Sequence, residues 1–299
     1  MTQQLLQLKP ATYFARLARG ALARLLSRHR RQSGAARIAC FPGDDIGDQV
    51  IAHGWYEDLL LRAIFDHFLG TDADTFRRGA ALDVGANIGN HSLWLARRFA
   101  QVYAFEPNPV CIRLLEANLL MNQVDNVHLF AQGLSDAAGE MTFHADLDRN
   151  LGRSGVNPAL AATATRSFPV RLERGDHLLS GRVPEALPIL LVKLDIEGHE
   201  LPALAGLEET LRQHQPLVLF ESHRAGGPSG SDAIVDLLGH WGYAHFYVLE
   251  ASASPYRNRL AKLVHRLIRG WQLDVRAVAR PEDRCHSLVI ASVRPRCGY

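Results

Sequence analysis

The sequence of 299 residues has few cysteines, no long apolar run and no acidic residue near its start. Its four cysteines form no Cys-x-x-Cys pair, and none has a histidine at the spacing of a zinc site. Cysteines without a pairing pattern are typical of a reducing compartment, so we expect a cytoplasmic protein. No apolar run approaches the roughly 18 residues that a membrane-spanning helix needs, which argues against an integral membrane protein.

The absence of acidic residues near the start is part of a strong charge asymmetry along the chain. Residues 1–43 contain eight Lys/Arg and no Asp or Glu, and residues 256–299 contain ten Lys/Arg against three acids. Residues 44–255 carry 28 acids against 15 basic residues. Such an asymmetry bears on surfaces and partners rather than on the fold. We predict a basic amphipathic helix and linker over 1–43, and a single domain over 44–299 with a basic helical insertion at 253–284.

Both basic segments have the pattern of an amphipathic helix, the first near Pro10 to Arg31 and the second from Pro255 to Gly270. In the first, apolar residues recur at helical spacing with arginines mostly opposite: Phe14, Leu17, Ala18, Ala21, Leu22 and Leu25 against Arg16, Arg19, Arg24 and Arg31. The arginines interrupt any signal-peptide core, although an acid-free, Arg-rich start is also typical of a mitochondrial transit peptide. Two interpretations stay open. The helices lie on an anionic membrane at its inner face, or their apolar stripes pack on the domain.

The stretch from Ala80 to His91 predicts a buried strand, a tight glycine turn and the start of a helix, which form the cofactor corner of a doubly wound sheet. Gly85 and Gly89 frame the turn, and Asp83 closes the strand. The dinucleotide pattern Gly-x-Gly-x-x-Gly is absent, because Asn87 stands where the second glycine would let a pyrophosphate approach the backbone. An acid here suits a cation better than a phosphate. We therefore expect S-adenosylmethionine, which carries an ammonium group and a positive sulfur.

An acid also closes the second predicted strand. Glu106 follows within about 20 residues of the glycine turn, where it can hydrogen-bond both ribose hydroxyls. The alternative is an acid that only favours the N-terminus of the next helix. The third strand, Val127 to Phe130, ends where such sheets meet an adenine, so residues 132–136, Ser135 among them, are candidates for that contact. A plain turn is the alternative there.

The fourth predicted strand is a near-continuous apolar run, as expected for a strand buried on both faces. It ends in Asp195, followed by His199, and the carboxyl ends of parallel strands are where α/β sheets place their chemistry. Asp195 beside His199 is the best acid–base candidate, although Lys193 could simply pair with Asp195. The fifth strand ends similarly, in Glu221 and His223.

The candidate bases are Asp195, Glu197, His199, Glu221 and His223, of which we select Asp195, His199 and His223 as catalytic. Carboxylates after strands four and five could also bind Mg²⁺. No all-oxygen cluster with an obvious metal spacing is visible, so we assign no metal ligand.

Seven strands are predicted, and together they indicate an α/β fold with a seven-stranded, mostly parallel sheet and helices on both faces. Residues 139–175 interrupt this alternation, with two segments that alternate like a hairpin, Glu140 to His144 and Ser167 to Leu172. We interpret this insertion as a substrate cover. Upstream, Tyr56 and Glu57 either cover the ligand or begin a helix.

Three motifs together resemble the FkbM-type family of S-adenosylmethionine-dependent methyltransferases: Asp-Val-Gly-Ala-Asn-Ile-Gly at 83–89, Phe-Glu-Pro-Asn-Pro at 105–109, and Lys-Leu-Asp-Ile-Glu-Gly-His-Glu at 193–200. The resemblance covers roughly residues 50–250. It implies a class I, Rossmann-like fold and methyl transfer to a hydroxyl oxygen, often on a glycan or a polyketide-type product. Carried over by motif, the cofactor-binding positions are Glu57, Asp83, Gly85, Asn87, Gly89 and Glu106, with Asp195 near the transferred methyl group.

We therefore expect an S-adenosylmethionine-dependent O-methyltransferase that acts on a hydroxyl of a sugar, a glycan or a secondary metabolite, with no nucleic-acid partner. Two alternatives remain. An NAD-dependent oxidoreductase would share the sheet and Glu106, but the missing middle glycine and Asp83 count against it. A non-catalytic membrane-associated protein with the same fold would account for the basic ends, but not for acids at the tips of four strands.

Overall fold

The computed structural model describes residues 10–32, 34–146, 152, 154–222, 231–251, 258, 273–281 and 286–296. The helices are α1 (Pro10–Gln32), α2 (Asp45–His53), α3 (Asp58–Arg62), α4 (Ala73–Phe76), α5 (Asn90–Ala96), α6 (Pro109–Met121), α7 (Gly175–Leu179), α8 (Glu200–Ala205), α9 (Glu208–His214) and α10 (Ser231–His240), with a π-helix at Ala63–Phe68 directly after α3. The strands are β1 (Ala80–Val84), β2 (Gln101–Phe105), β3 (Val127–Phe130), β4 (Gly133–Leu134), β5 (Gly139–Ala145), β6 (Arg166–Glu173), β7 (Ile189–Leu194), β8 (Leu217–Ser222), β9 (His245–Ala251), β10 (Leu273–Val278) and β11 (His286–Ser292).

The large sheet is mixed and has the strand order β10-β9-β11-β8-β7-β1-β2-β3. The five strands from β8 to β3 pair in parallel, whereas β11 runs antiparallel to both β8 and β9. The expected α/β fold is present, but the predicted count of seven strands is wrong, because the described part of this sheet has eight.

The additional strand is β10, which lies inside residues 253–284, where we predicted a helical insertion. It pairs antiparallel with β9, from Leu273 opposite Ala251 to Val278 opposite Phe246. Leu273 and Val275 are half-buried while Asp274 and Arg276 are exposed, which is the period of two that a strand requires. The predicted basic helix from Pro255 to Gly270 lies outside the described residues, except for Asn258.

Both faces of the large sheet are covered. Ala81 and Leu82, neighbours on β1, belong to different apolar clusters, since successive side chains of a strand point to opposite faces. Trp55, Phe65 and Trp94 are buried in the first cluster, on the side of the π-helix and α5. Burial on both faces explains why β1 has no exposed residue.

A smaller sheet lies next to the ends of the parallel strands. Its order is β4-β6-β5, and β5 pairs antiparallel with β6 from Gly139 opposite Leu172 to Ala145 opposite Arg166. These two strands coincide with the two alternating segments of residues 139–175.

None of the helices that the structure describes is both long and apolar enough to span a bilayer.

The parallel strands β1 and β7 end side by side, and this leaves no room for a side chain at Gly85. This glycine has a φ of +79°, and a Cβ atom there would lie 2.0 Å from the carbonyl oxygen of Asp195. The Asp195 amide in turn donates to the Val84 carbonyl at 3.1 Å. The close approach brings the ends of both strands to one point of the sheet edge.

We expect Gly85→Ala to lower the free energy of unfolding by about 2–4 kcal/mol, because it adds both backbone strain and a steric overlap. Guanidinium denaturation measures the loss. Gly239→Ala is the matched control. Gly239 lies inside α10, and a Cβ atom added there would meet no atom within 4 Å other than those of its own stretch of helix. It should raise stability by about 0.5–1 kcal/mol through helix propensity. Equal effects of the two substitutions would contradict the argument.

Candidate active site

A cavity of about 400 Å³ opens at the carboxyl ends of β1, β2, β7 and β8. Five of the predicted site residues line it: Gly85, Asn87, Glu106, Asp195 and His199. Asp83, Glu57, Gly89 and Ser135 are not part of its lining. His223 lies outside the described residues. The cavity therefore gathers predicted residues that are up to 114 positions apart in the sequence (85 to 199), and its full lining extends from Asp45 to Glu221.

The turn after β1 owes its shape to three left-handed residues. Gly85, Asn87 and Gly89 have φ values of +79°, +50° and +84°. Gly89 precedes α5, and a Cβ atom there would meet the Leu115 side chain at 2.8 Å, so this glycine lets α5 and α6 pack closely. The Gly89 position is thus structural, while Gly85 and Asn87 face the cavity.

Glu106 is buried directly behind this turn and accepts two backbone hydrogen bonds. The amide of Asn87 donates to its Oε2 atom and the amide of Asn108 to its Oε1 atom, both at 2.8 Å. The Asn108 side chain accepts from the Val110 amide and caps α6, whose first residue is Pro109. Burial raises the pKa of Glu106 to about 7, although the two amide donors act in the opposite direction.

Lys193 is buried between two carboxylates. Its Nζ atom lies 3.3 Å from Oδ1 of Asp83, 3.3 Å from Oδ2 of Asp195 and 3.3 Å from the Gly85 carbonyl oxygen. Burial disfavours the ammonium, but the two carboxylates outweigh it and raise the pKa of Lys193. The sequence left open that Lys193 simply pairs with Asp195. This pair is present in the structure, and Asp83 is a second carboxylate partner of Lys193.

Asp83 does not reach the cavity surface. Its side chain has 0% exposure and also accepts a hydrogen bond from Ser92 Oγ at 2.6 Å. The sequence could not reveal this, because it does not show on which face of β1 the carboxylate lies. The charge of Asp83 nevertheless acts on two residues of the cavity, since it raises the pKa of both Lys193 and Glu106.

Asp195 and Glu221 stand at neighbouring strand ends and line the same cavity. Burial raises the pKa of Glu221 to about 9, and the carboxylates of Asp195, Glu57 and Glu197 add to the effect. Glu221 therefore holds a proton at neutral pH. We did not select it as catalytic from the sequence, although its place directly after a strand was the available signal.

The turn after β7 gives the acids of the third motif different places. Glu197 and Gly198 are both left-handed, at φ +52° and +91°. Glu200 is 1% exposed, and its Oε1 atom accepts the amides of Gly198 at 3.0 Å and Ile196 at 3.4 Å. Glu197 lines the cavity, so Glu200 shapes the turn while Asp195 and Glu197 face the ligand space.

His199 lies on the cavity wall with its ring tied to Ser135. The two side chains meet at 3.1 Å between Nε2 and Oγ, and the Ser135 hydroxyl donates to Asp136 at 3.1 Å. Burial lowers the pKa of His199, with a smaller opposite effect from Asp136. His199 is thus neutral at physiological pH, and Ser135 reaches the site only through it.

The segment at Tyr56 and Glu57 is clamped to the start of α5. The Asn90 side chain accepts from the Tyr56 amide and donates to the Tyr56 carbonyl, both at 3.0 Å. Glu57 has a φ of +57°, and its Oε2 atom lies 3.4 Å from His91 Nε2. Tyr56 lines the large cavity, whereas Glu57 lines a smaller apolar void behind it. Burial and the Glu57 carboxylate raise the pKa of Tyr56.

The inserted segment forms one side of the cavity. Phe143 and Leu172 of the small sheet line it, as do Ser154, Gly155 and Val156. The Asn157 side chain donates to the Glu197 carbonyl at 3.4 Å and so ties this segment to the turn after β7. Among the described residues, no three His, Cys, Asp or Glu side chains are arranged to hold a metal ion.

Removing the Lys193 charge should show how strongly the buried Asp83 carboxylate destabilises the fold when it has no cation beside it. We expect Lys193→Met to lower the free energy of unfolding by about 3–5 kcal/mol, because it leaves Asp83 buried without its cation. Chemical denaturation measures this loss. The double variant Lys193→Met/Asp83→Asn removes the uncompensated charge and should recover part of it. A double variant no more stable than Lys193→Met would count against the pair.

Comparison with known proteins identifies the family. The methyltransferase FkbM domain matches residues 83–244. The chain is 33% identical to methyltransferase sdnD of Sordaria araneosa over 52% of this chain and 70% of that protein, and 30% identical to the 31-O-demethyl-FK506 methyltransferase FkbM of Streptomyces tacrolimicus over 61% and 80%. It is 33% identical to the hexuronic acid methyltransferase AglP of Haloferax volcanii over 49% of this chain, and spans 56% of that relative. The chain belongs to the FkbM methyltransferase family.

Proposed function

We propose that this methyltransferase uses S-adenosylmethionine and transfers its methyl group to a hydroxyl oxygen of a sugar, a glycan or a secondary metabolite. The observation that carries the proposal is Glu106, a buried carboxylate at the end of β2 that lines the cavity beside the glycine turn. A carboxylate in this place of a βαβ unit is suited to ribose hydroxyls. Each of its oxygens accepts one backbone amide and keeps a lone pair for a hydroxyl.

The turn itself argues against a pyrophosphate. In a dinucleotide site the second glycine lets the backbone approach the pyrophosphate. Here Asn87 occupies that place, and its amide already donates to Glu106. The carboxylates at the cavity favour a cationic ligand instead, since Asp195 and Glu197 both line it. This disfavours the oxidoreductase alternative.

S-adenosylmethionine supplies an electrophilic methyl group on a positively charged sulfur, and a neutral thioether leaves when that group is transferred. The protein then has to orient the acceptor hydroxyl, exclude water and accept the hydroxyl proton. Orientation contributes up to ~7–11 kcal/mol in such reactions. A positioned base adds about 10²–10⁴-fold in rate.

Asp195 is the base that we propose. Its side chain is 30% exposed at the cavity wall, and Lys193 holds one of its oxygens at 3.3 Å, which fixes the carboxylate and leaves the other oxygen for the acceptor. Glu221 already carries a proton and can donate a hydrogen bond. His199 is the competing base, but its Nε2 atom is engaged by Ser135. His223 stays a candidate on sequence grounds.

The charge of the cavity bears on the acceptor. Among the described lining residues, the carboxylates Asp45, Asp195 and Glu197 outnumber the cation Lys193, while Glu221 is protonated. Such a lining disfavours an anionic group next to the reacting hydroxyl. We therefore propose an acceptor that is neutral at its reacting end, in contrast to the hexuronic acid in the name of AglP. Cys40 and Cys111 are free thiols, which is consistent with a cytoplasmic enzyme.

The first test concerns the cofactor. S-adenosylhomocysteine should raise the melting temperature by mass action on the folded state. Its affinity should fall by up to ~10-fold from pH 8 to pH 6, because Glu106 becomes protonated near pH 7 and loses an acceptor. Glu106→Gln should bind more weakly at every pH and lose this dependence. Isothermal titration calorimetry across that range gives both quantities.

Glu185→Gln, an exposed position, is the matched control and should behave as the native protein does. NAD is the competing ligand. Tight NAD binding together with no binding of S-adenosylhomocysteine would overturn the proposal.

The second test concerns the base. Methyl-labelled S-adenosylmethionine and a panel of neutral glycosides, uronic acids and hydroxylated polyketides identify an acceptor. On that acceptor, Asp195→Asn should lower kcat by about 10²-fold or more, because it keeps the shape but removes the proton acceptor. The affinity for S-adenosylhomocysteine should change little.

His199→Ala is the comparison. A larger kcat loss in His199→Ala than in Asp195→Asn would move the role of base to the histidine. Near-native turnover of Asp195→Asn would show that the proton leaves by another route.

A further inference from the structure

Helix α1 carries an apolar stripe that the rest of the described chain does not cover. Leu17, Leu22 and Leu25 are 52%, 56% and 64% exposed, and the small residues Ala18 and Ala21 between them are also exposed. At 100° per residue these five positions share one side of the helix. The side chains described between Leu17 and Arg28 are exposed, and Gly20 is the only described residue of this range that is half-buried.

Arginines border the stripe on both edges. By helical spacing, Arg24 lies next to Leu17 at one edge and Arg19 lies beyond Leu22 at the other, while Arg28 lies at the C-terminal end, in line with the Leu17 edge; all three are exposed. Residues 1–43 contain no acid, so the segment offers no internal partner for these charges. An apolar side between cationic edges is the pattern of a helix that lies in a membrane interface.

The segment after α1 is firmly attached to the domain. The Asn122 side chain accepts from the Arg37 amide at 2.9 Å and donates to the Arg37 carbonyl at 2.7 Å. Asn118 accepts from the Ala39 amide at 2.6 Å and donates to the Ile88 carbonyl at 2.8 Å, within the glycine turn. The helix is therefore joined, through Asn118 of α6 and Asn122 directly after α6, to the edge of the candidate active site.

We propose that α1 binds the surface of an anionic membrane, with Leu17, Leu22 and Leu25 in the interface and Arg19, Arg24 and Arg28 on lipid headgroups. The charges select this occupant over a second copy of the chain, because pairing two acid-free, arginine-rich helices would bring like charges together. The arginine stems can lie along the apolar surface while their guanidinium groups reach the phosphates. The proposal is independent of the reaction that the cavity performs.

The test is flotation of the full chain with vesicles of pure phosphatidylcholine and of phosphatidylcholine with phosphatidylserine. The protein should float with the anionic vesicles at low salt and be released at high salt. Each basic residue at an anionic surface strengthens binding roughly fivefold, so Arg19→Gln/Arg24→Gln/Arg28→Gln should bind about 100-fold more weakly. Leu17→Gln/Leu22→Gln/Leu25→Gln should also lose binding.

A charge-matched control is Arg77→Gln/Arg78→Gln/Arg171→Gln, which removes three exposed arginines elsewhere and should float as the native protein does. Unchanged melting temperatures would show that each variant is folded. Equal binding to both lipids, absence of flotation, or equal losses in the two arginine variants would overturn the proposal. So would a dimer in sedimentation that only the leucine variant loses while its flotation is unchanged.

Discussion

The candidate site depends on one buried ammonium group. Lys193 lies between the carboxylates of Asp83 and Asp195 and also donates to the Gly85 carbonyl, so a single side chain joins the ends of β1 and β7. Without this cation, the carboxylates of Asp83 and Asp195 would repel each other, and no opposite charge would compensate for their lost hydration. The cation therefore lets the protein keep a carboxylate at the cavity wall, at the junction of two buried strands, where we propose that it acts as the base.

The remaining acids are distributed around that junction according to their burial. One oxygen of Glu200 accepts two backbone amides of its turn, and the two oxygens of Glu106 each accept one amide. Glu221 keeps its proton to a pKa of about 9, because burial and the carboxylate of Asp195 both disfavour its charge. Residues of one chemical type thus lie in three different surroundings: a backbone turn, the cavity beside the glycine turn and a buried strand end.

Much of this arrangement was predictable from the sequence. Strand β1, the glycine turn and the position of Glu106 follow from an apolar run that ends in glycines and an acid. The sequence could not show that Asp83 faces Lys193 rather than the cavity, because alternation alone does not tell which face of a doubly buried strand holds the ligand. It also missed β10, since six alternating residues next to a helix-like pattern give a weak signal. The contact of Glu57 with the ligand stays a prediction, since Glu57 lines the smaller void, which shares Lys193, Asp195 and Glu221 with the large cavity.

The order of strands has a consequence for how the sheet can assemble. Strand β11 is last in the described sequence, yet it lies between β8 and β9 and pairs with both. The hairpin-like pair of β9 and β10 has no ladder to β8 of its own. During synthesis, β9 and β10 therefore cannot join the sheet until β11 has left the ribosome. The parallel strands that form the cavity have no such dependence, and they can fold while this edge is still open.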